Sequence, residues 1–424
     1  MEKTTYLTLR ILVVSQYFWP ENFRINDLVQ EFVRRGHIVT VLTGYPNYQS
    51  DKVYMDFRDS PNKYSIFSGA TVCRVPLVAR GKGSLRLALN YLSFMLCAAM
   101  LGPMRLRGQS FDVIFVFEPS PVTVGVPAVV LGKFKKTPVI FWVLDLWPET
   151  LSAVGVVRSR LLLDTIGWLV RFIYNRCELV LGQSKGFIGS IAKYCNDERK
   201  IRYFPSWAEE VYNHDVDLLA PEVPVHEGLF NVLFAGNIGE AQDFPAVLDA
   251  AEQLKDNSLI RWLIVGDGRM SDWVTEEVTR RGLEKCFLML GRFPFERMPS
   301  FYAHADVLLV SLKANPVFSL TIPGKIQSYL LAGIPLVGML NGEGANVICE
   351  AQAGLVCAAG DSNGLAQAVR KLCAMPKNER LILGRNGRAY AKQEFDRNTL
   401  MDRLESWFDE VSNRGRKTRA GSNY

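Results

Sequence analysis

Short apolar runs alternate with amphipathic stretches along nearly the whole chain, and this alternation limits the fold more than any other feature. In the first half the spacing predicts strands near Ile11–Ser15, Ile38–Thr43, Thr71–Pro76, Val113–Phe117, Val139–Leu144, Leu179–Gly182 and Ile201–Phe204. Helices are predicted between them, near 24–35, 84–106, 122–135, 158–176 and 186–195. Between Pro205 and Gly228 prolines and acids replace the periodic apolar residues, which marks a linker over 208–228. The pattern then restarts with strands near Val232–Ala235, Trp262–Val265, Phe287–Leu290, Val307–Val310, Leu336–Gly338 and Leu355–Cys357, and closes with helices over 363–375 and 378–412. Such alternation demands parallel sheets covered on both faces. The expected fold class is α/β, with two tandem Rossmann-like, doubly wound domains over 1–207 and 229–395 and a cleft between them. Residues 396–413 are expected to form a helix returning toward the first domain, and 414–424, basic and free of acids, a disordered tail.

A chain of 424 residues is too long for one core and suits two domains of ordinary size. Its eight cysteines form no C-x-x-C and its four histidines are widely separated, so neither a disulfide framework nor a histidine metal site is expected. The formal charge of +6 conceals an asymmetry: residues 1–207 carry a net +11 and the remainder a net −5. A basic first half suits an anionic surface or substrate. Nucleic acid is not expected, because the basic residues are dispersed and no aromatic-basic recognition motif is present. No secretory signal opens the chain, so export is not expected. The stretch Leu85–Met104 is apolar and flanked by Arg80, Lys82, Arg86, Arg105 and Arg107. It reads first as a buried or partly exposed domain helix, with a helix lying in a membrane interface, Leu92, Phe94, Met95 and Leu96 toward lipid, as the second reading and a span as the third.

The first strand lacks the G-x-G-x-x-G turn of dinucleotide enzymes, and neither a nucleotide P-loop nor a G-x-S-x-G elbow occurs. A glycine-rich turn appears instead after the first strand of the second half, FNVLFAGNIGEAQD. There Gly236, Asn237, Gly239 and Gln242 can bring backbone N–H groups to a phosphate. Further on, Pro323 ends an extended loop and Gly324-Lys325 opens a helix, so the Lys325 ammonium and the helix N-terminus can address one anion. Arg292 and Lys313 add positive charge from neighbouring strand ends. A diphosphate is the expected guest. The D-x-D at Asp215–Asp217 lies in the linker and reads as surface charge, so no metal is expected.

Four blocks in order, F-W-P-E-N-F-R at 18–24, D-L-W-P-E at 145–149, A-G-N-I-G-E-A-Q-D at 235–243 and P-G-K-I-Q-S-Y-L-L-A-G-I-P at 323–335, resemble glycosyltransferase family 4. The resemblance spans about residues 10–410 and is strongest to the bacterial surface-polysaccharide branch that includes O-antigen L-fucosamine transferases. It implies the GT-B fold, a nucleotide diphosphate sugar held by the second domain, retention of anomeric configuration, and no metal or other cofactor. The chain departs from the family in one respect. Many members carry two glutamates eight residues apart in the loop-helix segment, the second touching the nucleotide ribose, where this sequence has Leu320 and Ser328. Gln327 or Ser328 could replace that contact only as neutral groups.

In the first domain, Asp145 at a strand end is placed to orient a sugar hydroxyl or acceptor nucleophile, and Trp147 to offer an apolar face to a pyranose; a cap for the following turn is the plainer reading of Asp145. Glu149, Glu21, Arg24, Asn47 and Tyr48 are the other candidate acceptor contacts, while His37 reads as a helix C-terminal cap. The expected activity is a retaining, metal-independent transfer of sugar, with UDP as the expected nucleotide and an N-acetyl-fucosamine type sugar among the candidate donors. The expected acceptor is a lipid-diphosphate-linked oligosaccharide of O-antigen, capsule or exopolysaccharide synthesis, met at the anionic inner face of the cytoplasmic membrane. Lys325, Arg292 and backbone N–H groups would stabilise the leaving diphosphate. A nucleotide-sugar epimerase and a non-catalytic sugar-nucleotide binder are the alternatives.

Overall fold

The computed structural model describes residues 8–48, 52–81, 83–153, 157, 159–208, 219–226 and 228–421. The Asp215–Asp217 motif, Lys82 and most of the linker fall outside them. The chain divides into two compact units, Met1–Gln183 with Phe187–Phe204 and Met401–Tyr424, and Pro205–Leu400 with Ser184–Gly186.

The first unit is an eight-stranded sheet made of β1 (Arg10–Val14), β2 (Ile38–Gly44), β3 (Ile66–Phe67), β4 (Ala70–Val75), β5 (Val113–Glu118), β6 (Val139–Val143), β7 (Leu179–Gly182) and β8 (Ile201–Tyr203). Their order is β3-β4-β2-β1-β5-β6-β7-β8, and every pairing is parallel except β3 with β4. Parallel strands covered on both faces must be apolar throughout, and VIFVFE of β5 is buried at all positions. The helices are α1 (Arg24–Arg34), α2 (Met55–Asp59), α3 (Ser84–Arg105), α4 (Gly125–Lys135), α5 (Glu149–Ala153), α6 (Arg160–Tyr174) and α7 (Lys185–Ala192). Right-handed crossovers place α3, α4 and α6 on one face of the sheet and α1 on the other.

The second unit is a six-stranded parallel sheet of β9 (Phe230–Ala235), β10 (Ile260–Val265), β11 (Phe287–Gly291), β12 (Val307–Ser311), β13 (Leu336–Met339) and β14 (Gly354–Cys357). The order β11-β10-β9-β12-β13-β14 is that of a dinucleotide-type doubly wound sheet. Its helices are α8 (Phe244–Glu252), α9 (Ser271–Arg280), α10 (Met298–Tyr302), α11 (Pro316–Leu320), α12 (Gly324–Ala332), α13 (Glu343–Glu350), α14 (Ser362–Ala374) and α15 (Lys377–Glu394). The described part of the linker is not passive, since Ala220 and Val223 are buried in this unit's core and Glu222 pairs with Arg297 at 2.7 Å.

The single helix expected over 378–412 is broken. Phe395 ends α15, and Asp396 starts α16 (Arg397–Gly421) by accepting the Thr399 N–H at 2.8 Å, a new N-cap inside an otherwise helical pattern. The segment expected as a disordered tail continues α16 as far as Gly421. From Met401 onward α16 belongs to the first unit, on the face of α1. Phe408 lies 5.5 Å from Phe32 and 5.8 Å from Phe115 between ring centroids. His37 caps α1 through its backbone N–H, which donates to Phe32 O at 3.0 Å behind the positive-φ Gly36, while its ring turns elsewhere: its Nε2 faces Glu405 Oε1 at 2.8 Å and its Nδ1 accepts the Leu9 N–H. Glu405 also pairs with Arg35 at 2.9 Å.

Phe408 is fully buried, so Phe408→Ala should lower the stability of the first unit by about 3–5 kcal/mol. Urea denaturation followed by tryptophan fluorescence measures this, and a loss below about 1 kcal/mol would show that α16 is not part of that core.

Candidate functional site

In a doubly wound sheet, ligands bind beyond the carboxyl ends of the strands where the order reverses. In the second unit that point lies between β9 and β12. Strand β9 runs out at Gly236, whose φ of +140° a side chain would disfavour. A Cβ at Gly266, just after β10, would lie 1.9 Å from the Gly236 carbonyl oxygen, and one at Gly268 would lie 2.2 Å from that of Ile238. Only glycine lets these two loops stack. The stack is laced by Gly236 N–H to Val265 O at 2.9 Å and Ile238 N–H to Asp267 O at 2.9 Å.

The turn after β9 is tied from within. Gln242 Oε1 accepts the Gly239 N–H at 3.1 Å and the Asn237 amide at 3.4 Å. From β12, Ser311 Oγ donates to Gln242 O at 2.6 Å, and the Lys313 N–H donates to Ala241 O at 2.9 Å. Gly236, Asn237, Gly239, Gln242 and Lys313 are therefore gathered at one point. Arg292 is exposed at the end of β11, the edge strand, where its charge adds to the nearby Ser271 hydroxyl and to the Gly268 N–H, bonded at 2.7 Å, in holding the Asp267 carboxyl low.

Lys325 completes this edge. It sits in the first turn of α12, with Nζ 3.6 Å from the centroid of the Phe234 ring. Nζ would also be 3.2 Å from a Cβ at Gly236. The ammonium is buried and has no hydrogen-bond partner among the described residues. Burial alone lowers it to about 7. The ring face offsets part of the desolvation, but an unpaired buried cation is costly, and a bound anion would restore the charged form. Beside it, Gly324 at the helix N-terminus faces open space.

The two neutral residues expected at the ribose are engaged in the protein. Gln327 is buried and donates to Gly324 O at 2.9 Å and Pro323 O at 3.1 Å, tying down the helix start instead of reaching outward. Ser328 is also buried. Leu320 ends α11.

The first unit revises several candidates. Glu21 is buried; its Oε1 accepts the N–H groups of Asn47 at 2.6 Å and Tyr48 at 2.5 Å, so it shapes the turn after β2. Burial raises this carboxyl. Asn47 is fully buried and spent on Tyr45 O, the Arg80 N–H and Asn90. These two are framework groups, because a buried turn must satisfy its own polar atoms before it can offer them. Tyr48 remains partly exposed, with the Arg80 guanidinium 4.5 Å from its ring centroid. Arg24 is half-buried at the first position of α1.

Asp145 follows β6 and takes the role of a turn cap: its oxygens accept Trp147 Nε1 at 3.1 Å and Thr150 Oγ1 at 2.6 Å. Trp147 is only 8% exposed and meets Tyr91 edge-on, so its ring is not a free platform for a sugar. Glu149 is the first residue of α5, half-buried, with burial raising its carboxyl and Oε2 left without a partner.

Two polar groups at the reversal between β1 and β5 escaped the sequence reading. Glu118 ends β5 fully buried; its Oε2 accepts the Asp145 N–H at 3.4 Å and its Oε1 has no partner among the described residues. Burial, then the Asp145 charge, holds this carboxyl well above the usual carboxylate range. Gln16 follows β1, donates to Asn90 at 2.7 Å, and also leaves Oε1 unpartnered. The available signal was a carboxylate closing an all-apolar strand, E-P-S at 118–120. Among the described residues no group of three His, Cys, Asp or Glu side chains is placed to hold a metal ion.

Two glycosyltransferase family models together match most of the chain. A family model described as Glycosyl transferase 4-like domain matches residues 22–207, and one described as Glycosyl transferases group 1 matches 230–375. The chain is a glycosyltransferase with the GT-B fold. A protein of Escherichia coli K12 named as the colanic acid biosynthesis glycosyl transferase WcaI is 23% identical over 418 residues, covering 93% of this chain and 98% of that one. Anabaena Alr3699/HepE, solved in complex with UDP, superposes with a TM-score of 0.68 at 15% identity, over 96% of this chain and 100% of that one. Sucrose-phosphate synthase of Thermosynechococcus elongatus does so with a TM-score of 0.70 at 16% identity, over 95% and 99%.

The buried ammonium makes nucleotide binding depend on pH in a definite direction. A bound diphosphate would raise Lys325 back above about 7. Above that pH binding must therefore take up a proton, and affinity falls as pH rises; below it, binding takes up none from this group. Calorimetry of UDP binding in buffers of different ionisation enthalpy should show this uptake in the wild type and none in Lys325→Ala. The variant should also lose about tenfold or more in affinity, and unchanged affinity would remove Lys325 from the site.

Proposed function

We propose that this glycosyltransferase transfers a sugar from a nucleoside diphosphate, with UDP the favoured nucleotide, to a lipid-diphosphate-linked glycan in surface-polysaccharide synthesis. One observation carries the donor half: the unpartnered Lys325 ammonium beside the Gly236 turn and the open start of α12 at Gly324. That arrangement suits a diphosphate, since backbone N–H groups, a helix N-terminus and a desolvated cation converge on one place. The UDP bound by HepE, a protein of the same fold, supports the nucleotide, and the naming of WcaI for colanic acid supports the pathway class. The branch of L-fucosamine transferases is the finer assignment favoured by the sequence blocks.

In this reading the C1–oxygen bond to the diphosphate breaks while the acceptor oxygen attacks the same face of the sugar. The acceptor proton passes to the departing diphosphate oxygen, so configuration is retained and no side-chain nucleophile is needed. Lys325, with Lys313 and Arg292 at neighbouring strand ends, carries the developing negative charge in place of a metal ion. In the first unit Glu118, which favours its protonated form and keeps Oε1 unpartnered at the end of β5, would help position the acceptor hydroxyl, while Asp145, held by Trp147 and Thr150, would fix the turn beside it.

The protein incubated with a panel of UDP-sugars and a polyprenyl-diphosphate-linked acceptor should yield elongated lipid. Nuclear magnetic resonance of the product should show the donor's anomeric configuration, and most of the activity should survive EDTA. An epimerised nucleotide sugar without transfer would establish the epimerase reading, and UDP binding with no product from any donor the binding reading. Strict dependence on a restored divalent cation would overturn the metal-independent mechanism.

A further inference from the structure

Helix α3 is apolar on two opposite sides. Asn90, Phe94, Ala98 and Gly102, four residues apart, are its buried positions and face the sheet. Asn90 is pinned there by Gln16 and Asn47, and Gly102 gives room to Leu42 and Leu131. Phe94 is thus a core residue and not a lipid contact, and a helix held in this way does not span a membrane. Leu85, Leu89, Leu92, Leu96, Met100 and Met104 are exposed, from 46% at Leu92 to 75% at Leu85. At 100° per residue this second stripe lies on the side of the helix away from the first.

The apolar surface continues onto the neighbouring helices of the layer, with Phe134 of α4 72% exposed and Leu161 and Trp168 of α6 exposed to 79% and 67%. An apolar patch of this extent on a water-facing domain marks a surface that is covered in use. Its charges indicate by what. Neither α3 nor α4 contains an acidic residue and α6 carries one, Asp164, while Arg86, Arg105, Arg107, Lys133 and Lys136 are exposed along α3 and α4 and Arg160 at the start of α6. Apolar residues bordered by cations match the acyl chains and anionic headgroups of a bilayer.

At the N-terminal end of this stripe is an open groove of about 560 Å³. Tyr45 after β2, Phe57 of α2 and Ala79 after β4 line it together with three cations, Lys52, Arg58 and Arg86. Phe57 forms an aromatic wall backed by the Arg74 guanidinium at 5.3 Å. The acids of α2, Asp56 and Asp59, are not among the lining residues. Arg86 adjoins Leu85, so the cations of the groove and the start of the apolar stripe share one helical turn.

We propose that the outer face of α3, α4 and α6 rests on an anionic bilayer, and that the groove beside the first turn of α3 takes the phosphate or diphosphate end of a lipid seated in it. The bilayer contact stands without the donor assignment; the diphosphate source rests on the proposed lipid-linked acceptor. The test is flotation of the full-length protein with three kinds of vesicle: phosphatidylcholine alone, phosphatidylcholine with phosphatidylglycerol, and phosphatidylcholine doped with a polyprenyl diphosphate. Wild type should bind both anionic kinds about tenfold or more above the neutral one, with a part that resists salt.

Leu89→Asp/Leu96→Asp should lose about tenfold or more on every vesicle while keeping its melting temperature and UDP affinity, whereas Phe94→Asp on the inner face should fail to fold. Unchanged binding of the leucine pair variant would overturn the docking face. Arg58→Ala/Arg86→Ala should lose about tenfold. A loss confined to the diphosphate vesicles identifies the acceptor lipid as occupant, and an equal loss on phosphatidylglycerol identifies the bulk headgroup. No loss on either would overturn the groove. Absence of UDP binding in the wild type would remove the donor reading and leave this result standing.

Discussion

A lysine ammonium buried against an aromatic ring without a counter-ion is the interaction around which the second unit's functional edge is organised. Lys325 pays a desolvation cost that Phe234 only partly offsets, so the edge is electrostatically incomplete until an anion arrives. The rest of the edge keeps that charge where a ligand can meet it. Glycines at 236, 266 and 268 let the loops after β9 and β10 pack backbone against backbone, and Gln242 with Ser311 fixes the turn between them. Gln327 secures the start of the helix that carries the lysine. A larger residue at any of those glycines would push the turn apart, whatever its polarity.

The first unit solves a different problem with the same topology. Its carboxyl edge is built from polar groups that satisfy one another: Glu21 holds the turn at Asn47 and Tyr48, Asn47 holds Asn90 and the backbone of Arg80, and Asn90 holds Gln16. This network joins β1, the turn after β2 and α3, so the helix with the exposed apolar face is fastened to the loops expected to meet the acceptor. What stays unsatisfied is confined to Glu118, Glu149 and Gln16 at strand and helix ends, together with Arg74 and Thr123, among the described residues of this unit. Buried polar atoms without partners are uncommon in native proteins, and three of these five lie at the edge where a doubly wound sheet binds its ligand.

Much of this was legible in the sequence, and the reason is periodicity. A parallel strand covered on both faces must be apolar throughout and its helix apolar on one side, so strands such as ILVV at 11–14 and VLLV at 307–310 announce themselves without any tertiary information. The glycine turn at 236–239 and the helix start at Lys325 were legible for a similar reason, because backbone conformation and helix polarity are local properties. The break at Asp396 was not, since an aspartate within a helical pattern caps or continues according to the backbone around it.

The sequence by itself determined two doubly wound units, the glycosyltransferase blocks and the cation at the head of α12. Tertiary structure decided what each polar side chain does. Glu21 and Asn47 have the composition of ligand contacts, but backbone N–H groups and side chains from elsewhere in the chain reach them first; Asp145 is taken up locally, by Trp147 and Thr150. Glu118 lies one residue past the strand read at Val113–Phe117, and pairing of β6 beside it left its carboxyl buried with Oε1 unpartnered. Residues 85–104 read as a domain helix or an interfacial one, and only packing assigned Phe94 to one side and Leu92 and Leu96 to the other. Hydrophobicity states that a side chain avoids water. Which neighbour or surface allows it to do so is settled by where the rest of the chain lies.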